Sequence, residues 1–198
     1  MPAFNEFPEE ALIISRLLAG YGELEYGLTR CLDSVLADTA IGIKTIFRVR
    51  SEQSRIDIAD AILHPAYVNI GLKNEYEATR AALHCCRKIR NQFAHCHWLS
   101  HKDAGLFFTN LEAAAKKRGN ANLSIRHISV SILQEQEEHF VHTDSNLTYL
   151  AQEFQFRAGQ LKSHPFHFQK QRPEPPFCTA PGAHKPLPFL QAEQQGDL

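Results

Sequence analysis

The stretch "RKIRNQFAHCHW", Arg87 to Trp98, decides how this chain reads. Up to Ala94 it continues a run in which Thr79, Ala82, Leu83, Cys86, Ile89 and Phe93 recur at three- and four-residue spacing. That is the period of a helix with one apolar face, and it predicts a helix over about 74–94. Within that face stands an arginine. Projected at about 100° per residue from Cys86, Phe93 falls at about −20°, Leu83 at about +60° and Arg90 at about +40°. A guanidinium is always charged and costly to bury alone. It must reach past its neighbours to water, pair with a carboxylate such as Asp57 or Asp60 on the preceding helix, or line a pocket that receives an anion. His95 projects about 140° from Arg90 on an unbroken helix. The two side chains meet if the helix loosens near Ala94, or if a second copy brings its own pair across a shared interface. "HCHWLSHKDAG" has a poor helical pattern, which suits a helix ending there.

Upstream, residues 8–37 read as one long helix, with Pro8 at its first position and Glu9 and Glu10 where the helix dipole favours acids. Ile14, Tyr21, Leu28 and Val35 repeat at seven; Leu17, Leu24 and Cys31 fill the alternate seam. Gly20, Gly22 and Gly27 interrupt it. They mark either a weak, kinked turn or the close approach of a second helix. "IGIKTIFRV" is short and apolar, an extended segment or one helical turn. A second helix is predicted from about Ser51 to His64, with Ser51 or Ser54 as its cap and Pro65 as its stop.

Downstream, "GLFFTNLEAA" and "ANLSIRHIS" read as two strands with Gly119-Asn120 turning between them. A further helix follows over about 130–159, and helix-poor "HTDSN" is a place where it can break in two. From Ser163 onward seven of the ten prolines gather, in a segment unable to build its own core. The expected architecture is therefore mainly α: a four- to five-helix bundle over 1–162 with a small β-hairpin inserted after the third helix. A Pro-rich tail, extended or disordered, follows over 163–198. Phe166, Phe177 and Phe189 are the tail residues able to press onto the bundle.

Hydrophobic residues make up 43% of the 198 and charged residues 22%, enough apolar material for a core. A formal net charge of −1 gives no general attraction to nucleic acid or anionic membranes, so any nucleic-acid contact must come from a local patch. The apolar runs are too short to span a bilayer, and "MPAFNEFPEE" lacks the pattern of a signal peptide. Five cysteines, odd in number and irregular in spacing, do not make a disulfide framework. A reducing cytoplasm is expected.

Arg90-Asn91-Gln92-Phe93-Ala94-His95 resembles the motif of the HEPN superfamily: an arginine, often followed by asparagine, then a histidine four to six residues on near the end of a bundle helix. The long helices before it and the inserted hairpin after it resemble the bacterial subgroup that includes mannitol-repressor-like proteins. The architectural resemblance spans about residues 8–160, but only these six residues are specific. It implies a helical bundle that forms a homodimer, with the two motifs facing each other around a two-fold axis. It also implies one of two activities. Many members are metal-independent endoribonucleases, several of them toxins or defence effectors; others are non-catalytic regulatory or protein-interaction modules. An antitoxin or regulatory protein is the partner each reading implies.

The residue chemistry suits RNA cleavage. Attack by a 2′-hydroxyl on the adjacent phosphate needs a proton acceptor near neutral pH, which histidine supplies at position 95. It also needs positive charge on the phosphate oxygens, which the fork of Arg90 offers. Asn91 is placed to orient the histidine or hold a phosphate oxygen. Arg87, Lys88, His97 and Trp98 are the candidate RNA contacts, Trp98 by stacking on a base or, as an alternative, by anchoring the hairpin. Arg48, Arg50, Arg55 and Arg80 add local charge that is either a guide for RNA or a solvated face. Some superfamily toxins carry a tyrosine two residues after the motif histidine; here His97 stands there, which does not support regulation through that tyrosine. His84, Cys85, Cys86, His95, Cys96, His97 and His101 are metal-ligating types, and His97 and His101 form an i, i+4 pair if helical, but Cys86 on the apolar face with Phe93 is better explained as a small core residue. No metal and no cofactor is expected.

Overall fold

The computed structural model describes residues 2–116, 123–164, 166–170 and 172–187. Among them the chain is mainly helical, with one small antiparallel sheet. The helices are α1 (Pro2–Glu6), α2 (Pro8–Leu36), α3 (Thr39–Phe47), α4 (Glu52–Asn69), α5 (Lys73–Ala94), α6 (Leu111–Ala115) and α7 (Val130–Arg157). The strands are β1 (His97–His101), β2 (Gly105–Thr109) and β3 (Arg126–Ile128), in the order β1-β2-β3. The helical bundle with a small hairpin after the 73–94 helix is thus the fold, with the hairpin extended to three strands. No helix among the described residues is long and apolar enough to cross a membrane.

Two compact units divide the chain. One comprises Ala19–Lys88 and Glu138–Glu174. Here the seam of α2 is buried as its heptad spacing predicts, with Tyr21, Leu24, Leu28, Cys31 and Leu32 all in the core. Gly27 lets α7 come close: an added Cβ would lie 3.0 Å from Leu147 Cδ1 and 3.3 Å from its Cβ. The close-approach reading therefore holds for Gly27 and not for Gly22, which has open space around it. Cys86 on α5 meets Thr143 on α7, sulfur to hydroxyl 3.5 Å. Tyr67 on α4 stacks on Tyr76 of α5 and meets the edge of Phe154 on α7. These contacts tie α2, α4, α5 and α7 into one four-helix core.

The other unit comprises Met1–Leu18, Ile89–Glu137 and Pro175–Leu198. Leu106, Phe107 and Phe108 of β2 and Ile128 of β3 are buried with Ile89 and Phe93 of α5 and Leu133 of α7. The tight hairpin joins β1 to β2, with His97 opposite Thr109 and His101 opposite Gly105. β2 then pairs with β3, Leu106 opposite Ile128 and Phe108 opposite Arg126. Gly105, at φ +110°, has a backbone only glycine adopts easily, and an added Cβ would collide with the His127 ring.

Several boundaries differ from the sequence reading. Pro65 does not stop the second helix; α4 runs through it to Asn69. A proline inside a helix leaves the carbonyl four residues back without its N–H. The turn beyond it is nevertheless worth forming, because it buries Tyr67 in the core. That end is closed by Gly71 at φ +78°: Leu72 N–H bonds to Tyr67 O and Gly71 N–H to Val68 O, a Schellman pair. "IGIKTIF" is a helix, not an extended segment, because Asp38 accepts from the N–H groups of Ala40 and Ile41. β1 adds a strand that the sequence pattern does not predict, and "NLEAA" is helical instead of a strand continuation. Asn110 caps it by accepting from Ala113 N–H at 2.8 Å. The turn at Gly119-Asn120 lies outside the described residues. α7 does not break at "HTDSN", for Thr143 and Ser145 return their hydroxyls to the carbonyls of His139 and Val141.

Past residue 162 no helix or strand occurs among the described residues. The segment is extended and fastened through its backbone. In the first-described unit, Asn146 exchanges two bonds with the backbone of Gln169, and His142 Nε2 donates to Lys170 O. In the other, the Gln136 amide donates to Pro176 O at 2.6 Å and the Gln92 amide to Phe177 O at 2.7 Å. Phe177 is half-buried and Phe166 exposed; Phe189 lies outside the described residues.

Candidate functional site

α5 ends at Ala94 because its apolar face ends with Phe93, which is buried and meets the rings of Trp98 and Phe108. Cys96 Sγ then bonds to Phe93 O at 3.3 Å, and β1 begins one residue later. The turn leaves His95 exposed to solvent.

Asn91 and His95, four residues apart, line one open cleft of about 460 Å³ together with Gln92, Asn110, Glu112 and Lys116. Residues at that spacing share a helix face. Arg90 is half-buried, and its Nη1 donates to Asn91 Oδ1 at 3.0 Å. This fixes the amide of Asn91: with Oδ1 taken by the guanidinium, the NH2 is the end left to meet a ligand oxygen. Arg90 and Asn91 are thus joined by a hydrogen bond, and Asn91 and His95 lie on the cleft.

Asp60 accepts from Tyr76 on one oxygen and from Arg80 on the other. Asp57 accepts from Gln53 at 2.6 Å. Two of the cations counted as a possible RNA guide are paired with acids: Arg80 with Asp60, and Arg55 with both oxygens of Glu25. Lys88 is exposed; Arg87 is half-buried, with its Nε hydrogen unpartnered. His97 is exposed at the start of β1. Trp98 packs against Phe4, Phe93 and Phe108 with ring centroids 5.2 to 5.7 Å apart, which anchors the hairpin.

The cysteines next to these histidines are core residues in character. Burial pushes the Cys96 thiol up to about 12 and the Cys85 thiol to about 11, and the buried Cys86 thiol is raised further still. A thiol so raised is no nucleophile at neutral pH. Burial, then the nearby Arg87 and Arg80, lowers the pKa of His84. Among the described residues no group of three or more His, Cys, Asp and Glu side chains is placed to hold a metal ion.

Asn110 and Glu112 fall in the stretch that reads as a strand, and Lys116 in the connection after it, so spacing does not bring them to the cleft. The signal was present: an asparagine directly before "LEAAA" is a helix start. By its fold the chain belongs among mainly α-helical proteins with a small antiparallel sheet. No protein-family model, curated protein or solved structure matches it.

Proposed function

We propose that this chain is a homodimeric, HEPN-type ribonuclease that cleaves RNA without a metal. The observation that carries this reading is the Arg90–Asn91 hydrogen bond beside an exposed His95, on a cleft that also holds Lys116. His95 takes the proton from a 2′-hydroxyl, whose oxygen forms a bond to the adjacent phosphorus while the bond to the 5′-oxygen breaks. The leaving 5′-oxygen takes up a proton from water, giving a 5′-hydroxyl and a 2′,3′-cyclic phosphate, and His95 returns its proton to solvent. Arg90, through Asn91, and Lys116 supply positive charge and donors for the phosphate oxygens. Five free thiols suit the reducing cytoplasm in which such an enzyme, regulated by an antitoxin-like protein, would work.

One observation favours a second reading, a non-catalytic HEPN-like interaction module. Glu112 lines the same cleft and opposes an anion, and Arg90 is already engaged by Asn91. The two readings part on one experiment. Purified protein is incubated with RNA in EDTA beside His95→Ala and Arg90→Ala, each checked for folding by circular dichroism. The ribonuclease cleaves to cyclic-phosphate ends, and each variant loses about 100-fold or more in rate. The module cleaves nothing, and Arg90→Ala alone is destabilised.

A further inference from the structure

Beside the His95 cleft lies a second, more enclosed pocket of about 350 Å³. The two share Gln92, Asn110 and Ala113. Phe108, Ala113 and Ala114 give the pocket apolar walls, and Gln92, Thr109 and Ser124 bring polar groups to it. Thr109 is almost wholly buried, and its Oγ1 has no hydrogen-bond partner. A buried hydroxyl left unpaired costs stability, and Thr109 is the residue of the pocket wall that carries one. Gln92 spends its NH2 on Phe177 O, leaving Oε1 as the acceptor end of that amide. Arg126, opposite Phe108 in the β2–β3 ladder, brings a cation to the pocket; among the described residues no carboxylate pairs with it, and none lines the pocket.

Apolar walls, a few donors and acceptors and one cation define the ligand class: a flat heterocycle with a polar edge and an attached anion. We infer that this pocket receives one base of a single-stranded RNA, with Arg126 on its phosphate. The inference rests on the ribonuclease reading, which puts the adjoining phosphodiester in the His95 cleft. A base in a duplex has its edge paired and its faces stacked, so only an unpaired base can enter. The pocket would then choose which base lies next to the cut.

The test is binding, read apart from cleavage. The four nucleoside 3′-monophosphates are titrated into the protein and into His95→Ala by calorimetry. A short single-stranded RNA and its abasic counterpart are compared by fluorescence anisotropy on His95→Ala. Thr109→Val removes the hydroxyl and keeps the shape; Ala113→Leu fills the pocket; Arg126→Gln removes the cation. At least one nucleotide is expected to bind, about tenfold more weakly to Thr109→Val and to Arg126→Gln, and not measurably to Ala113→Leu. The abasic RNA is expected to bind more weakly than the intact strand. This pattern without RNA cleavage by the parent keeps the pocket and removes the ribonuclease reading. Cleavage by the parent, with Thr109→Val and Ala113→Leu folded and indistinguishable from it in binding and rate, overturns the pocket alone. Failure of all four nucleotides to bind at millimolar concentration, with equal affinity for intact and abasic strands, also overturns it. Should Ala113→Leu not fold, Thr109→Val and the abasic comparison decide.

Discussion

Gly22 and Gly27 look alike in the sequence, two glycines in one helix, yet their surroundings are opposite. Gly22 is exposed with nothing near, whereas Gly27 is buried against Leu147. Gly22→Ala is expected to stabilise the protein by up to about 1 kcal/mol, the ordinary helix-propensity gain. Gly27→Ala has the same gain set against a contact with a Cβ that cannot swing aside, and it should be neutral or destabilising. Thermal unfolding of the two variants checks this, and an equal rise in Tm for both would count against the close approach of α7. Position 90 carries a similar lesson. Its place inside an apolar stripe was legible from spacing alone, but its partner was not. Asp57 and Asp60 are acids at plausible positions; in the fold Asp60 serves Tyr76 and Arg80, and the guanidinium of Arg90 also donates to the neighbouring Asn91, a contact that spacing did not suggest.

At the scale of elements, local rules failed where packing outweighed them. Pro65 is exposed in the middle of α4, and Pro65→Ala restores an N–H for the carbonyl of Ala61. A stabilisation of about 2 kcal/mol is expected, less than the full interior-proline penalty because proline also restricts the unfolded chain; urea unfolding measures it. The extended segment after Pro175 is held on the sheet side by His127. Its carbonyl accepts from Thr179 N–H, its Nδ1 bonds to Thr179 Oγ1 at 2.8 Å, and its ring stacks on His184 at 4.5 Å. Burial, and then the neighbouring His184, lowers the pKa of His127 to about 4, from about 6.5 when free. The folded state therefore prefers the neutral ring. Its contribution is complete above pH 6.5 and is lost as the pH falls from there toward 4, because the unfolded chain binds the proton first. Melting temperatures recorded between pH 7.5 and 5 should fall for the parent and fall less for His127→Phe. Parallel curves for the two would show that the latch does not titrate.

For the whole molecule, the ribonuclease proposal requires two copies, since one motif presents one histidine to the cleft. Sedimentation equilibrium is expected to give twice the 22.4 kDa chain mass. A monomer at micromolar concentration would leave the facing-motif arrangement without support. What the sequence determined by itself was whatever depends on periodicity and local chemistry. The seam of α2, the length of α5, the helix end at Ala94 and the arginine within the apolar face all follow from spacing, because a side chain's direction on a helix is set by its residue number. Only the tertiary structure decided what depends on contacts between distant segments. It carried α4 through Pro65, made β1 the partner of β2, and brought Lys116 and Glu112 to the cleft of His95. It also fastened the proline-rich segment to Gln92 and Gln136. The reason is energetic: burial and long-range hydrogen bonds each outweigh the small preferences of single residues, and neither is encoded within any one stretch of chain.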